Sequence, residues 1–184
     1  VQMAPGEIRR IVDELPSCVM LKHEDWPGLE KISTLRGWER DGGMRHIAIL
    51  VGNNGLFLDC EMARGADGAN TGYAFPDMLC DVVRLAQAGQ REEAHDLFDA
   101  HLPLLRYEQQ PGVGLAVRKY VLMRRGLLVS ASLRQPAAPR RRSAFSPLSI
   151  RTRSAWWARW SGCWLGRRVG WPSPSAAFSM PSRK

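Results

Sequence analysis

Hydrophobic positions in the first two thirds of the chain alternate between a helical period and short continuous runs. Within Ala4 to Leu15, residues Ile8, Ile11, Val12 and Leu15 recur at helical spacing, and Pro16 ends the pattern. The run Cys18-Val-Met-Leu21 leads into Lys22 and predicts a buried strand. Leu29, Ile32, Leu35 and Trp38 predict a second helix, broken by Asp41-Gly-Gly43. Ile47 to Val51 is a second buried strand, and Gly52-Asn-Asn-Gly55 a loop after it. Leu56 to Arg64 forms a short helix stopped by Gly65. Gly68 to Thr71 is a third strand, short and partly polar. Pro76 opens a helix carrying Met78, Leu79, Val82, Val83 and Leu85, closed by Gly89. Arg91 to Leu105 makes another, with Ala94, Leu97, Phe98, His101 and Leu105 on one face, and Val113 to Arg125 a last one.

Helices alternating with continuous apolar strands predict an α/β fold whose parallel strands are covered by helices. Alternation alone does not separate an open doubly wound sheet from a barrel. No GxGxxG follows a strand and no GxxxxGK[ST] occurs, so a nucleotide site has no support in the sequence.

Composition splits the chain. Its 184 residues suffice for one domain, and the net charge of +8 first points to nucleic acid or an acidic membrane as partner. Residues 1–139, however, hold 16 basic against 18 acidic residues, a balance of −2, whereas residues 140–184 hold ten basic residues and no acid. Five of the seven tryptophans lie in that second stretch. No apolar run reaches the roughly 18–20 residues of a membrane span. The N-terminus lacks the pattern of a secretory signal, and its first residue, Val1, suggests a start inside a longer chain. Cys18, Cys60, Cys80 and Cys163 form no CxxC pair and are expected as buried free thiols in a reducing, cytoplasmic compartment rather than as disulfides or a zinc site.

Lys22 stands out chemically. Strand alternation puts Met20 and Lys22 on one face and Val19, Leu21 and His23 on the other. If the Met20 face is interior, desolvation favours the neutral amine, the nucleophile that attacks a ketone to form a Schiff base. The alternative is that Lys22 ends the strand and reaches solvent, or pairs with Glu24 or Asp25, and the pattern by itself favours this second view. His23 and Glu24 point to opposite faces and cannot readily share a metal ion. His46, His95 and His101 are isolated surface or helix-face residues, so no metal is expected.

The segments CVMLKHEDWPGLEKISTLR, HIAILVGNNG and ARGADGANTGYAFPDM, in that order and spacing, resemble the second half of the dihydrodipicolinate synthase / N-acetylneuraminate lyase family. AQAGQREEAHDLFDAHLPLL and GLAVRKYVLMRRG resemble the family's later helices, so the likeness spans about residues 4–138. It implies the last three strands of a TIM barrel plus C-terminal helices, in a class I lyase needing no metal or organic cofactor. By that resemblance Lys22 is the Schiff-base lysine for pyruvate or a related 2-keto acid. Gly52 lines the pocket, and Asn70 approaches the bound keto acid. These positions fall where a barrel carries its site, at the carboxyl ends of strands. KHED and GANTG look more like members acting on 2-keto-3-deoxy sugar acids, and the Asn70-Thr71 pair suits a hydroxylated substrate. A structural polar pair explains it nearly as well. The full-length family member is expected to be a homo-oligomer.

Much of the family site has no counterpart. A (β/α)8 domain takes about 250 residues, and three strands are present. The family's proton-relay tyrosine stands before an Asn, whereas Tyr73, Tyr107 and Tyr120 do not. Its Thr/Ser pair and Gly-x-x-Gly-Glu segment are also missing. Three parallel strands leave open edges, so the isolated chain is expected to fold poorly and to be inactive.

From residue 139 a basic tail rich in Trp, Arg, Ser and Pro follows the lyase-like residues 1–138. It reads as a nucleic-acid arm, as a membrane-surface segment, or as a GC-rich gene translated out of frame. The abrupt loss of acidic residues favours the last, with membrane ahead of nucleic acid. A non-catalytic protein that binds anions through this tail is the alternative to the lyase.

Overall fold

The computed structural model describes residues 2–26 and 28–134; the expectations for the basic tail and for a boundary at residue 138 lie outside them. In chain order the elements are α1 (Pro5–Glu14), β1 (Met20–His23), α2 (Leu29–Arg40), β2 (Ala48–Val51), a 3₁₀ turn (Asn53–Gly55), α3 (Leu58–Ala63), β3 (Gly68–Ala69), α4 (Pro76–Gln87), α5 (Arg91–Glu108) and α6 (Gly114–Arg124). The strands form one parallel sheet in the order β1-β2-β3. Each neighbouring pair is joined by a helix, the connection parallel strands require. The sequence reading of mixed α/β structure with parallel strands is met in these elements.

Register places Lys22 beside Leu50 and Leu50 beside Gly68, with His23, Val51 and Ala69 forming the next row. Backbone bonds carry the ladder beyond the strands: Gly52 N–H donates to the His23 carbonyl and Asn70 N–H to that of Val51, both at 2.9 Å. Gly52 and Asn70 therefore lie at the carboxyl end of the sheet, one row beyond its last strand residues.

Ile49 and Val51 are fully buried and pack into one cluster with Val12 of α1, Ile32 and Leu35 of α2, Leu58 of α3, Val82 of α4 and Leu105 of α5. Arg36 ties α2 to the sheet, donating to the Ile47 carbonyl and to Asp67 Oδ2, which also accepts from the Ile49 N–H at 2.6 Å.

Three expectations need correction. The run Cys18 to Leu21 is not a buried strand: β1 starts at Met20, and Val19 and Met20 are 62% and 49% exposed. Among the described residues β1 has a strand on one side only, and helices cover the face of Leu21 and His23. Secondly, Cys60 and Cys80 are exposed rather than buried, while Cys18 is intermediate. Cys80 sits a helical step past the buried Met78 and Leu79 and so turns to the outer side of α4. Thirdly, α5 runs on to Glu108 through Pro103. His101, Leu105 and Glu108, on one face, are all buried, and their packing offsets the roughly 3 kcal/mol cost of an interior proline.

Candidate active site

A cleft of about 630 Å³ lies at the carboxyl end of the sheet, lined by Lys22, Glu24, Asn53, Asn54, Asn70, Thr71, Gly72 and Gln109. Lys22 of β1 and Asn70, one residue past β3, thus both line it. Gly52 lies between them in the sheet, buried, with the Glu24 side chain over it.

The Lys22 ammonium pairs with Glu24 Oε1 at 3.3 Å, and each side chain is 51% exposed. The desolvated lysine of the interior reading is therefore not what these residues form. The paired, solvent-reached lysine is. The cause is the sheet's one-sided cover: the helices pack on the His23 face, and the Met20–Lys22 face carries no helix of the described chain. His23 is buried on the helix side, where its Nε2 meets the Gly28 carbonyl at 3.0 Å, and burial lowers its pKa. His23 and Glu24 indeed diverge. Among the described residues no group of three His, Cys, Asp or Glu side chains is placed to hold a metal.

The cleft wall after β2 is held by charge. Asn53 and Asn54 take φ values of 52° and 57°, followed by Gly55 at 74°, a left-handed turn that asparagine tolerates better than most residues. Asn53 Nδ2 donates to the Glu24 carbonyl at 3.3 Å, and Asn54 Nδ2 to that of Glu108 at 3.4 Å. Arg118 of α6 donates through Nη2 to Asn54 Oδ1 at 2.6 Å and through Nε to Glu108 Oε2 at 2.9 Å. The other Glu108 oxygen accepts from the Ala74 N–H at 3.2 Å. Burial pushes the Glu108 carboxyl up in pKa, against Arg118 and the Ala74 N–H, which pull it down. One ion pair between α5 and α6 thus braces the turn beside Lys22 and the loop after β3.

Tyr73, two residues from the cleft's Thr71, does not face it. It is buried, its hydroxyl sharing a 3.1 Å hydrogen bond with His101 Nδ1. Burial raises the tyrosine well above its ordinary range and lowers His101 to about 4. His101 is therefore a core residue on the apolar face of α5. His46 and His95 are exposed, bonded to Glu39 Oε2 at 3.2 Å and to Asp59 Oδ2 at 2.9 Å.

No family model matches the chain. Among solved structures, a dihydrodipicolinate synthase from Rhodopseudomonas palustris superposes with a TM-score of 0.75 at 60% sequence identity, over 85% of this chain and 50% of that one. The chain is similar to dihydrodipicolinate synthases over about half of their length. The 4-hydroxy-tetrahydrodipicolinate synthase of Methylacidiphilum fumariolicum shares the fold, with a TM-score of 0.67 and 23% identity over 90% of this chain and 52% of that one. A curated L-2-keto-3-deoxyarabonate dehydratase of Azospirillum brasilense is 28% identical over 85 residues, which are 46% of this chain and 27% of that protein. The chain thus spans about half the length of the solved relatives it matches. These relatives are synthases and a dehydratase, so the likeness is to a family of enzymes. No helix among the described residues is long and apolar enough to cross a membrane.

Sequence reasoning singled out Lys22, Gly52 and Asn70 but gave no role to Gln109, Arg118 or Glu108. Their approach depends on how α5 and α6 pack, which local pattern does not encode. The Asn-Asn-Gly stretch was the available signal for the turn.

Proposed function

We propose that this chain carries the nucleophile and part of the pocket of a Schiff-base-forming 2-keto acid lyase. One observation carries the proposal: the Lys22 amine opens into a polar cleft at the carboxyl ends of parallel strands, beside Asn70. The three strands stand as the last three of a (β/α)8 barrel, with the site at its usual end.

The neutral Lys22 amine adds to the C2 carbonyl of pyruvate or a related 2-keto acid, and water leaves to give an imine. The protonated imine withdraws electrons from C3, which allows aldol cleavage, condensation or loss of a β-hydroxyl. Asn70 and Thr71 offer an amide and a hydroxyl to a hydroxylated substrate. The dehydratase relative, named for a 2-keto-3-deoxy sugar acid, supports that substrate class. The full-length protein acts as a homo-oligomer in the cytoplasm, whose reducing conditions suit the three free thiols of the described residues. The 184-residue chain alone does not turn over, because the described cleft holds no tyrosine relay and no paired hydroxyls for the substrate carboxylate.

The test is borohydride reduction in the presence of pyruvate. It is run on the chain alone and on the chain co-expressed with the part of the Rhodopseudomonas palustris synthase that it does not match. The chain has four lysines, Lys22, Lys31, Lys119 and Lys184. A reduced adduct on Lys22 is expected, stronger with the complement. Labelling of the other lysines in place of Lys22 counts against the proposal.

A further inference from the structure

We propose that Arg118 of α6 is a specificity-determining residue of this cleft, presenting one N–H donor beside Gly72 to a distal hydroxyl of a 2-keto-3-deoxy sugar acid. The inference rests on the Schiff-base reading of Lys22.

Two loops wall the cleft at the carboxyl end of the sheet, Asn53-Asn54 after β2 and Asn70-Thr71-Gly72 after β3. Arg118 reaches both. Its Nη2 donates to Asn54 Oδ1 at 2.6 Å, and its Nη1 stands 2.5 Å from the point that a β-carbon at residue 72 would occupy. A side chain there would push the guanidinium away from the loop. Gly72 is not among the glycines of positive φ, so room for Arg118, rather than a backbone angle, is what glycine supplies at this position.

The guanidinium is held in place by the fold itself. Nε donates to Glu108 Oε2 at 2.9 Å, and that carboxylate is fully buried and accepts through its other oxygen from the Ala74 N–H. Asn54 is tied in turn to the Glu108 carbonyl. Arg118 nevertheless keeps about a quarter of its side-chain surface open. A donor fixed in this way loses little further freedom when a ligand binds, which favours selectivity.

Charge and geometry define the acceptor. An arginine only donates, so its partner is an oxygen with a lone pair. Glu108 already balances the positive charge, and Nε and Nη2 are engaged. Each two-nitrogen fork that grips a carboxylate side by side includes Nη2. Nη1 is left as a single donor point, which suits a hydroxyl better than a second carboxylate. Pyruvate ends at C3 and has no such oxygen, whereas a 2-keto-3-deoxy sugar acid carries hydroxyls from C4 onward. A site built to hydrogen-bond a hydroxyl discriminates strongly against analogues that lack it.

The test measures the concentration of keto acid that gives half-maximal borohydride trapping on Lys22, using the full chain with its complement. Three probes are compared: pyruvate, L-2-keto-3-deoxyarabonate, and 2-ketoglutarate, which matches the sugar acid in carbon count but ends in a carboxylate. Arg118→Lys keeps a cation for Glu108 and removes the Nη1 donor. It is expected to raise the half-saturating concentration of the sugar acid relative to that of pyruvate by ~10–100-fold, the size of one hydrogen bond to a charged group. Reading this ratio cancels any loosening of the cleft that weakens both probes. Gly72→Ala, which keeps Arg118 and Glu108 but takes the place of Nη1, shifts the ratio in the same direction by a smaller factor. It carries the test if the Lys variant does not fold. The corresponding ratio for 2-ketoglutarate moves less than that for the sugar acid. A sugar-acid ratio within twofold of the parent in the folded variant overturns the role of Arg118, and a larger shift for 2-ketoglutarate overturns the choice of a hydroxyl. Either result leaves the Schiff base standing. Absence of a Lys22 adduct with every probe removes the Schiff-base reading and this inference together.

Discussion

The two faces of the three-stranded sheet differ in how deeply they are buried. On the helix side, Ile49 and Val51 are fully buried and His23 is nearly so, in one cluster with residues of α1 through α5. On the other, Met20 and Lys22 are exposed, and the row beyond them is Glu24, Gly52 and Asn70. Alternation places these residues one position apart along the same strands. The apolar face supplies the burial that holds the strands in register, at about 25 cal/mol per Å² of apolar surface removed from water. The other face contributes little to that and is free to carry charge.

Substitutions can break or sharpen that contrast. The largest expected effect is on the packed face. Ile49→Ala leaves a cavity in the cluster that the sheet shares with the helices and should destabilise the chain by about 2–5 kcal/mol in urea unfolding. Next comes the brace behind the cleft. Arg118→Met leaves the buried Glu108 carboxylate without its cation and should cost roughly 3 kcal/mol, loosening the Asn53–Gly55 turn as well. A smaller effect is set by pH. Burial pushes the Glu61 carboxyl of α3 up to about 7, and its Oε2 has no hydrogen-bond partner among the described residues. A carboxyl raised in the fold stays protonated there while the unfolded chain ionises. Stability therefore falls as pH rises from about 4.5 to 7, by roughly 3 kcal/mol at most. Glu61→Gln should remove this fall and stabilise the chain at pH 8 but not at pH 4. His101 acts in the opposite sense. Its imidazole is lowered to about 4, so its contribution is present above pH 6.5 and lost as pH drops toward 4. Acid unfolding should move to lower pH in His101→Phe. The smallest stability effect belongs to the open face: Lys22→Ala breaks a half-exposed ion pair and should change stability by less than about 1 kcal/mol.

What sequence could disclose follows the same division. The six helices and three strands were legible because their apolar residues recur at helical or strand spacing, as with Ile32 and Leu35 in α2 or Ile49 and Val51 in β2. That Lys22 and Asn70 belong to one site followed from the family resemblance. The exposure of Lys22 did not, because a continuous apolar run implies burial on both faces and says nothing of whether the second cover is present. For the same reason Val19 and Met20 read as core. The Glu108–Arg118 brace was invisible because it joins helices whose packing angle no local pattern fixes. Gly52 was marked as a pocket residue, but its reason, room for the Glu24 carboxylate, required knowing which side chain crosses β2.

The central claim is that the open face is the chemical one and that Lys22 is its nucleophile. Peptide mapping by mass spectrometry after borohydride reduction with pyruvate tests it most directly, on the parent and Lys22→Arg chains, each alone and with the complementing half. The account predicts the reduced pyruvate on Lys22 and its loss from the Arg variant, with thermal unfolding of the two chains alike. Equal labelling of Lys22, Lys119 and Lys184, or an adduct that persists in the Arg variant, would contradict it.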